Sequence, residues 1–212
     1  VSPSNNRMHL EVLNDKGKEI FKTLSAFSDF YLAGGTALAI QIGHRKSLDF
    51  DLFSAKKIPK SLLSIAERTF GTSALRISVN NQEELSLFVA ETKVTFLQYP
   101  FPVLFDFIVT QKVPLLSPKE VGVTKAYTIG RRGSYKDYID LFFLIRGGYV
   151  TTEELVTLGE KKYGDAFNAR LFLEQLVYLD DIEDVEIIFL KNRVGKKEIS
   201  EFFTQEVSRI QL

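Results

Sequence analysis

The apolar positions of this chain change rhythm near its middle. Up to about residue 115, short apolar runs alternate with glycines, prolines and polar turns; from Pro118 onward they recur at three- and four-residue spacing. Leu10, Leu13, Ile20, Phe21, Leu24 and Phe27 follow a helical spacing over 9–29, interrupted at Asp15-Lys16-Gly17. Phe30–Ala33 reads as a short buried strand stopped by Gly34-Gly35. Thr36 is placed as the N-cap of a two-turn helix, Ala37–Ile42, that Gly43 closes. Leu48–Phe53 alternates as a half-buried strand does, with Leu48, Phe50 and Leu52 on the core side. Pro59–Phe70 reads as a helix, with Pro59 in its first turn and Gly71 just past its end. Strands are predicted at Leu75–Val79, Leu85–Ala90 and Lys93–Tyr99, the last two joined tightly at Glu91-Thr92. Tyr99-Pro-Phe-Pro ends that ladder, and Phe105–Val109 is a further β-rich stretch. Helical spacing then marks 118–130, 134–146, 152–163, 166–179 and 198–209.

Strands first and helices after predict an α/β (α+β) chain: a sheet domain over 1–115 and a C-terminal helical region over 116–212, the boundary soft enough for a single domain. With 212 residues, 45% of them hydrophobic, the chain can bury such a core. Its 27 basic and 27 acidic side chains cancel, which argues against wholesale coating of nucleic acid or membrane but leaves room for a local basic patch. The absence of cysteine excludes disulfides, thiolate catalysis and zinc-thiolate sites, and His9 and His44 are too few for a His-rich metal site. The N-terminal stretch is polar and no apolar run approaches the roughly 18 residues of a membrane span. A soluble cytoplasmic protein without a membrane partner is expected.

The chemically specific stretch lies between Gly34 and Asp51. A Gly-Gly pair lets backbone approach a polyphosphate without Cβ clashes, and the helix start that follows offers unpaired N–H groups. Asp49 and Asp51, two apart on one strand, put both carboxylates on the same face with Cα atoms about 7 Å apart. Mg²⁺ (or Mn²⁺) takes carboxylate oxygens together with substrate phosphates. Either pair alone is ordinary: a tight strand-to-helix turn, or acids on a solvated face. Strand, Gly-Gly, helix and Asp-x-Asp in succession point to a site for Mg-nucleoside triphosphate. Arg45 is read either as a charge for the triphosphate or as a solvated loop cation, and His44 as a residue that holds the loop.

The stretch Tyr31–Ser54, with Gly34-Gly35-Thr36 and Asp49-Phe50-Asp51, resembles the first motif of the AbiEii/AbiGii-type nucleotidyltransferases, within the DNA polymerase β-like superfamily. The resemblance implies a polymerase β-like mixed sheet with flanking helices and a C-terminal helical portion. It places Gly34, Gly35 and Thr36 at the nucleotide loop and Asp49 and Asp51 at the metal. It also implies a toxin role with a separately encoded antitoxin as partner. Such enzymes supply a third carboxylate from a later strand, where this chain has Thr95; Asp106 is the nearest substitute, and Glu91 in the hairpin turn is a weaker one.

Lys125 to Leu144 resembles the family's helical motifs, which implies Lys125 and Arg132 at the phosphates and Asp140 in the active site. Structural readings compete here: Ser134 and Asp137 fit a capping box, and Lys136 and Asp140 are i,i+4 neighbours. The leading function is metal-dependent transfer of a nucleoside monophosphate from an NTP to a hydroxyl of tRNA or protein. The alternatives are a catalytically weak nucleotide-binding or protein-interaction module, prompted by Thr95, and a transferase acting on a small molecule.

Overall fold

The computed structural model describes residues 8–210. Five strands make one mixed sheet in the order β1-β2-β5-β4-β3: β1 (Tyr31–Ala33), β2 (Phe50–Ser54), β3 (Leu75–Asn80), β4 (Glu84–Val89) and β5 (Thr92–Gln98). β1 is antiparallel to β2, β2 is parallel to β5, and β5, β4 and β3 form an antiparallel meander. The register sets Ala33 beside Asp51, Asp51 beside Thr95 and Thr95 beside Ser86, one row across four strands. Because strand side chains alternate, Phe50 and Leu52 join Leu85, Leu87, Val94 and Phe96 on the buried face, while Asp51, Thr95 and Ser86 share the opposite one.

The helices are α1 (Asp15–Thr23), α2 (Gly34–Ile42), α3 (Leu62–Phe70), α4 (Pro118–Arg132), α5 (Tyr135–Arg146), α6 (Thr152–Tyr163), α7 (Ala169–Val177) and α8 (Lys196–Ser208). α4 packs against α2, α5, α6 and α7, and α8 closes over α5 and α7. The buried side chains form one connected cluster running from Val12 to Phe203. Strands first and helices after are as the residue pattern predicts, and the mixed sheet is as the resemblance implies. Among the described residues no helix is long and apolar enough to cross a membrane.

Several local expectations are corrected. Asp15-Lys16-Gly17 does not interrupt α1 but starts it, because Asn14 Oδ1 accepts from Gly17 N at 2.7 Å and caps the first turn. Residues 105–109 form no strand: a single bridge joins Ile108 to Leu115, and residues 114–116 run along β1, with Leu32 N donating to Pro114 O at 2.8 Å. The hairpin turns at Ala90-Glu91, with Val89 opposite Thr92, one residue earlier than predicted. Leu48 is 53% exposed instead of buried, since β2 begins only at Phe50.

Candidate active site

β1 runs directly into α2, with no side chain capping the junction. Ala33 is the N-cap residue, so Thr36 is not the cap predicted for it. Gly34 takes φ +65°, and a Cβ there would collide with Asp51 Oδ2. A Cβ on Gly35 would stand 2.5 Å from Arg45 Nη2 and 3.3 Å from Asp140 Oδ2. The glycine pair is therefore squeezed between a carboxylate and a guanidinium, while the first residues of a nine-residue helix line the cleft.

Thr36 is buried, and its hydroxyl works inside the fold: Oγ1 lies 2.7 Å from Ser47 Oγ and donates to the carbonyl of Asp49. That contact fixes the approach to β2 and so aims the Asp49 side chain. Asp49 is exposed just before the strand and Asp51 is half-buried on it; both line a cleft of about 630 Å³. Hard carboxylate oxygens suit Mg²⁺, which takes one or two carboxylates plus substrate phosphates, and the neighbouring helix N-terminus suits the phosphates. Among the described residues no three Asp, Glu or His side chains converge into a fuller cage. Asp49 and Asp51 are the pair of cleft carboxylates that could hold such an ion beside the glycine turn.

The far wall of the cleft is built on a buried charge network. Asp140, fully buried on α5, accepts from Arg45 Nε (2.7 Å, Oδ1), from Arg45 Nη2 (2.8 Å, Oδ2) and from His44 Nε2 (2.6 Å), and pairs with Lys125 Nζ (2.7 Å). Burial pushes its carboxyl up, but the Arg45 and Lys125 cations outweigh burial and hold it well below the usual carboxylate range. Lys125 is 6% exposed and bonds Asp137 as well, at 2.7 Å. Burial alone would lower its ammonium; Asp140 and Asp137 reverse that and keep it charged at the cleft surface. Asp137 in turn closes the α5 capping box through Ser134 N (3.0 Å) and Oγ (2.9 Å).

These positions revise two expectations. Arg45 is no solvated loop cation: it is 3% exposed and bound bidentately to Asp140 beneath Gly35. Asp140 does not line the cleft; it holds Arg45 and Lys125, which do. Lys136 does line the cleft, as Lys125 and Asp137 do. Arg131 is turned away, stacked over Tyr127 and bonded to the carbonyl of Ala166. The Arg132 side chain lies outside the described residues. Asp106 and Glu91 are exposed and stand outside the cleft, because 105–109 is irregular and Glu91 caps a hairpin turn. Thr95, where the resemblance implied a third carboxylate, sits beside Asp51 on the neighbouring strand. Glu84 and Lys93 line the cleft without having been singled out; the strand register that brings them there was the missing signal.

Comparison with known proteins follows the same geometry. The family model for the AbiEii nucleotidyl transferase toxin, a type IV toxin–antitoxin system, matches residues 21–85 and 84–209. An uncharacterized protein of Aquifex aeolicus is 33% identical over 192 residues, covering 87% of this chain and 89% of that protein. MenT4, a nucleotidyltransferase toxin of Mycobacterium tuberculosis H37Rv, has a similar fold (TM-score 0.58, 16% identity, 93% of this chain and 83% of that one). So has a candidate nucleotidyltransferase of H. pylori (TM-score 0.56, 18% identity, 90% and 89%). With the glycine turn, the paired aspartates and the buried lysine in one cleft, and with the family model spanning most of its length, the chain belongs to the AbiEii family of nucleotidyltransferase toxins.

Proposed function

We propose that this nucleotidyltransferase moves a nucleoside monophosphate from an NTP to a hydroxyl of tRNA or protein, with Mg²⁺ or Mn²⁺ held by Asp49 and Asp51. The observation that carries the reading is that Asp49, Asp51, Lys125 and the first residues of α2 line one cleft. The ion, when bound, supplies charge neutralisation and polarises the phosphate. Everything else falls to the chain. Gly34 and Gly35 present backbone N–H groups to the phosphates. Lys125, held by two carboxylates at 2.7 Å, meets developing negative charge without having to reorient. Arg45 braces Gly35 from behind. The acceptor oxygen attacks the α-phosphorus, and pyrophosphate leaves with the electrons of the broken P–O bond. Positioning and fixed charge provide the acceleration.

A polymeric acceptor is favoured over a small apolar one because the cleft is lined largely by charged and polar side chains, Lys93 and Lys136 among them. Membership of a toxin–antitoxin family supports a cognate antitoxin as the partner that restrains this activity. The test is incubation with each labelled NTP, Mg²⁺ or Mn²⁺, and bulk tRNA or lysate, beside Asp49→Asn/Asp51→Asn. Label should move to one polymer class and the double variant should transfer at least a hundredfold less. Nucleotide that binds but never transfers, under any condition, would instead leave a nucleotide-binding module that retains the fold.

A further inference from the structure

The face of the sheet that carries Asp51 continues across β5 to β4, and a carboxylate waits there. Asp51 pairs with Thr95, and Thr95 with Ser86. Glu84, two residues before Ser86, projects from the same face and lines the cleft with Asp49, Asp51 and Lys125. Ser86 is fully buried, and its Oγ stands 2.6 Å from Glu84 Oε1 and 3.1 Å from Thr95 Oγ1. A buried hydroxyl so placed ties the Glu84 carboxylate back over the Asp51–Thr95–Ser86 row. Phe53 and Leu97, in the row of Glu84, complete that wall.

Distance assigns the role. Neighbouring strands lie about 4.8 Å apart, so Ser86 is roughly 10 Å from Asp51 in the backbone. A Mg²⁺–oxygen bond is about 2.1 Å. Glu84 therefore belongs to a strand two removed from Asp51, too far in the backbone to serve as its neighbour on one ion, yet it lines the same cleft as Lys125. Resting on the transferase reading above, we infer that Glu84 receives the proton of the acceptor hydroxyl, doing from β4 what a carboxylate at Thr95 would do from β5. In that step the acceptor O–H proton passes to the Glu84 carboxylate and the freed oxygen pair forms the bond to the α-phosphorus. The bond from that phosphorus to the bridging oxygen breaks, and pyrophosphate carries its electrons away.

The experiment compares wild type, Glu84→Gln and the cleft-external neighbour Glu83→Gln. Single-turnover transfer from labelled NTP to the acceptor polymer is measured in parallel with NTP affinity by direct binding and with thermal unfolding. Glutamine still accepts from Ser86 but takes no proton. Glu84→Gln is expected to transfer about a hundredfold more slowly, with NTP affinity within threefold of wild type and Glu83→Gln at the wild-type rate. A loss of less than tenfold overturns the inference, as does a parallel loss of NTP affinity. Should Glu84→Gln fold poorly, Glu84→Asp, which withdraws the charge by one methylene, is judged by the same criterion. The two readings fail differently. Wild type that neither binds NTP nor transfers label sinks the transferase reading and this one with it; transfer lost in Asp51→Asn but intact in Glu84→Gln sinks this one alone.

Discussion

His44 Nδ1 is, among the described residues, the only buried side-chain polar atom without a hydrogen-bond partner. The cause lies on the other side of the ring. Asp140 is ionised and accepts only, so Nε2, 2.6 Å away, must carry the hydrogen, and a neutral ring then leaves Nδ1 as a bare acceptor. Protonation would instead strand a buried N–H. Burial lowers the His44 pKa from 6.5, and the nearby Arg45 and Lys125 cations add to that against the pull of Asp140. A group whose pKa falls on folding contributes stability above its unfolded value and loses it as pH drops toward the folded one. Between about pH 6.5 and that lower value the unfolded chain binds one more proton, so stability should decline with a slope of at most about 1.4 kcal/mol per pH unit. Urea unfolding of wild type and His44→Gln, whose amide keeps the N–H to Asp140 but cannot titrate, checks this. Below pH 6.5 wild type should lose stability more steeply than His44→Gln, by at most one proton, and identical slopes would remove His44 from the account. The sequence marked His44 as a loop-holding residue, and Asp49, Asp51 and Lys125 as chemistry, because each sits in a dense local pattern. It did not tell that Arg45 and His44 hold Asp140, since residues 95 and 96 positions apart share no local spacing.

At the level of elements, the same division recurs. Helices α4, α5, α6 and α8 were legible because each carries a long apolar period and, for α5 and α6, a capping box. The start of α2 was not, because a helix that opens on two glycines without a side-chain cap contradicts local propensity; close approach of Asp51 and Arg45 explains the glycines. The hairpin turn, placed one residue late, shifts every cross-strand pair by two, which sets Phe88 instead of Ser86 opposite Thr95 and hides Glu84 from the site. Also invisible was the joint between α4, α6 and the irregular segment after β5. Glu120, fully buried, pairs with Lys162 Nζ at 2.5 Å and accepts from Leu104 N (2.9 Å) and Phe105 N (3.2 Å). Removing one charge leaves the other buried and unpaired, the expensive case. Glu120→Gln should cost about 3–5 kcal/mol in chemical denaturation. Glu120→Gln/Lys162→Met should recover at least half of that, and a double variant no more stable than the single would show that the pair is not the source of the cost.

Taken as a molecule, the protein lines the cleft from different layers: Asp51 and Glu84 on the sheet with Asp49 just ahead of β2, and Lys125, Lys136 and Asp137 on the helices. What joins the layers at the cleft is the loop carrying His44 and Arg45, which is clamped from outside by residues 188–190: Lys46 N donates to Ile188 O at 2.8 Å and Leu190 N to His44 O at 3.0 Å. A triphosphate that touches both α2 and Lys125 adds a further bridge between the layers, one present only in the folded state. Ligand that binds the native state alone stabilises by mass action, about 2.7 kcal/mol at a hundred times Kd. For a chain of this size each kcal/mol moves Tm by roughly 2–4 °C, so saturating NTP should raise Tm on the order of 5–10 °C. If Asp49 and Asp51 hold the ion that the phosphates require, chelation by EDTA should abolish most of the rise for wild type. Asp49→Asn/Asp51→Asn should show the small, EDTA-insensitive remainder from the α2 N-terminus and Lys125 alone. A shift of equal size with and without the divalent ion would mean that the glycine turn and the buried lysine bind the nucleotide by themselves, and that the paired aspartates serve a later step than binding.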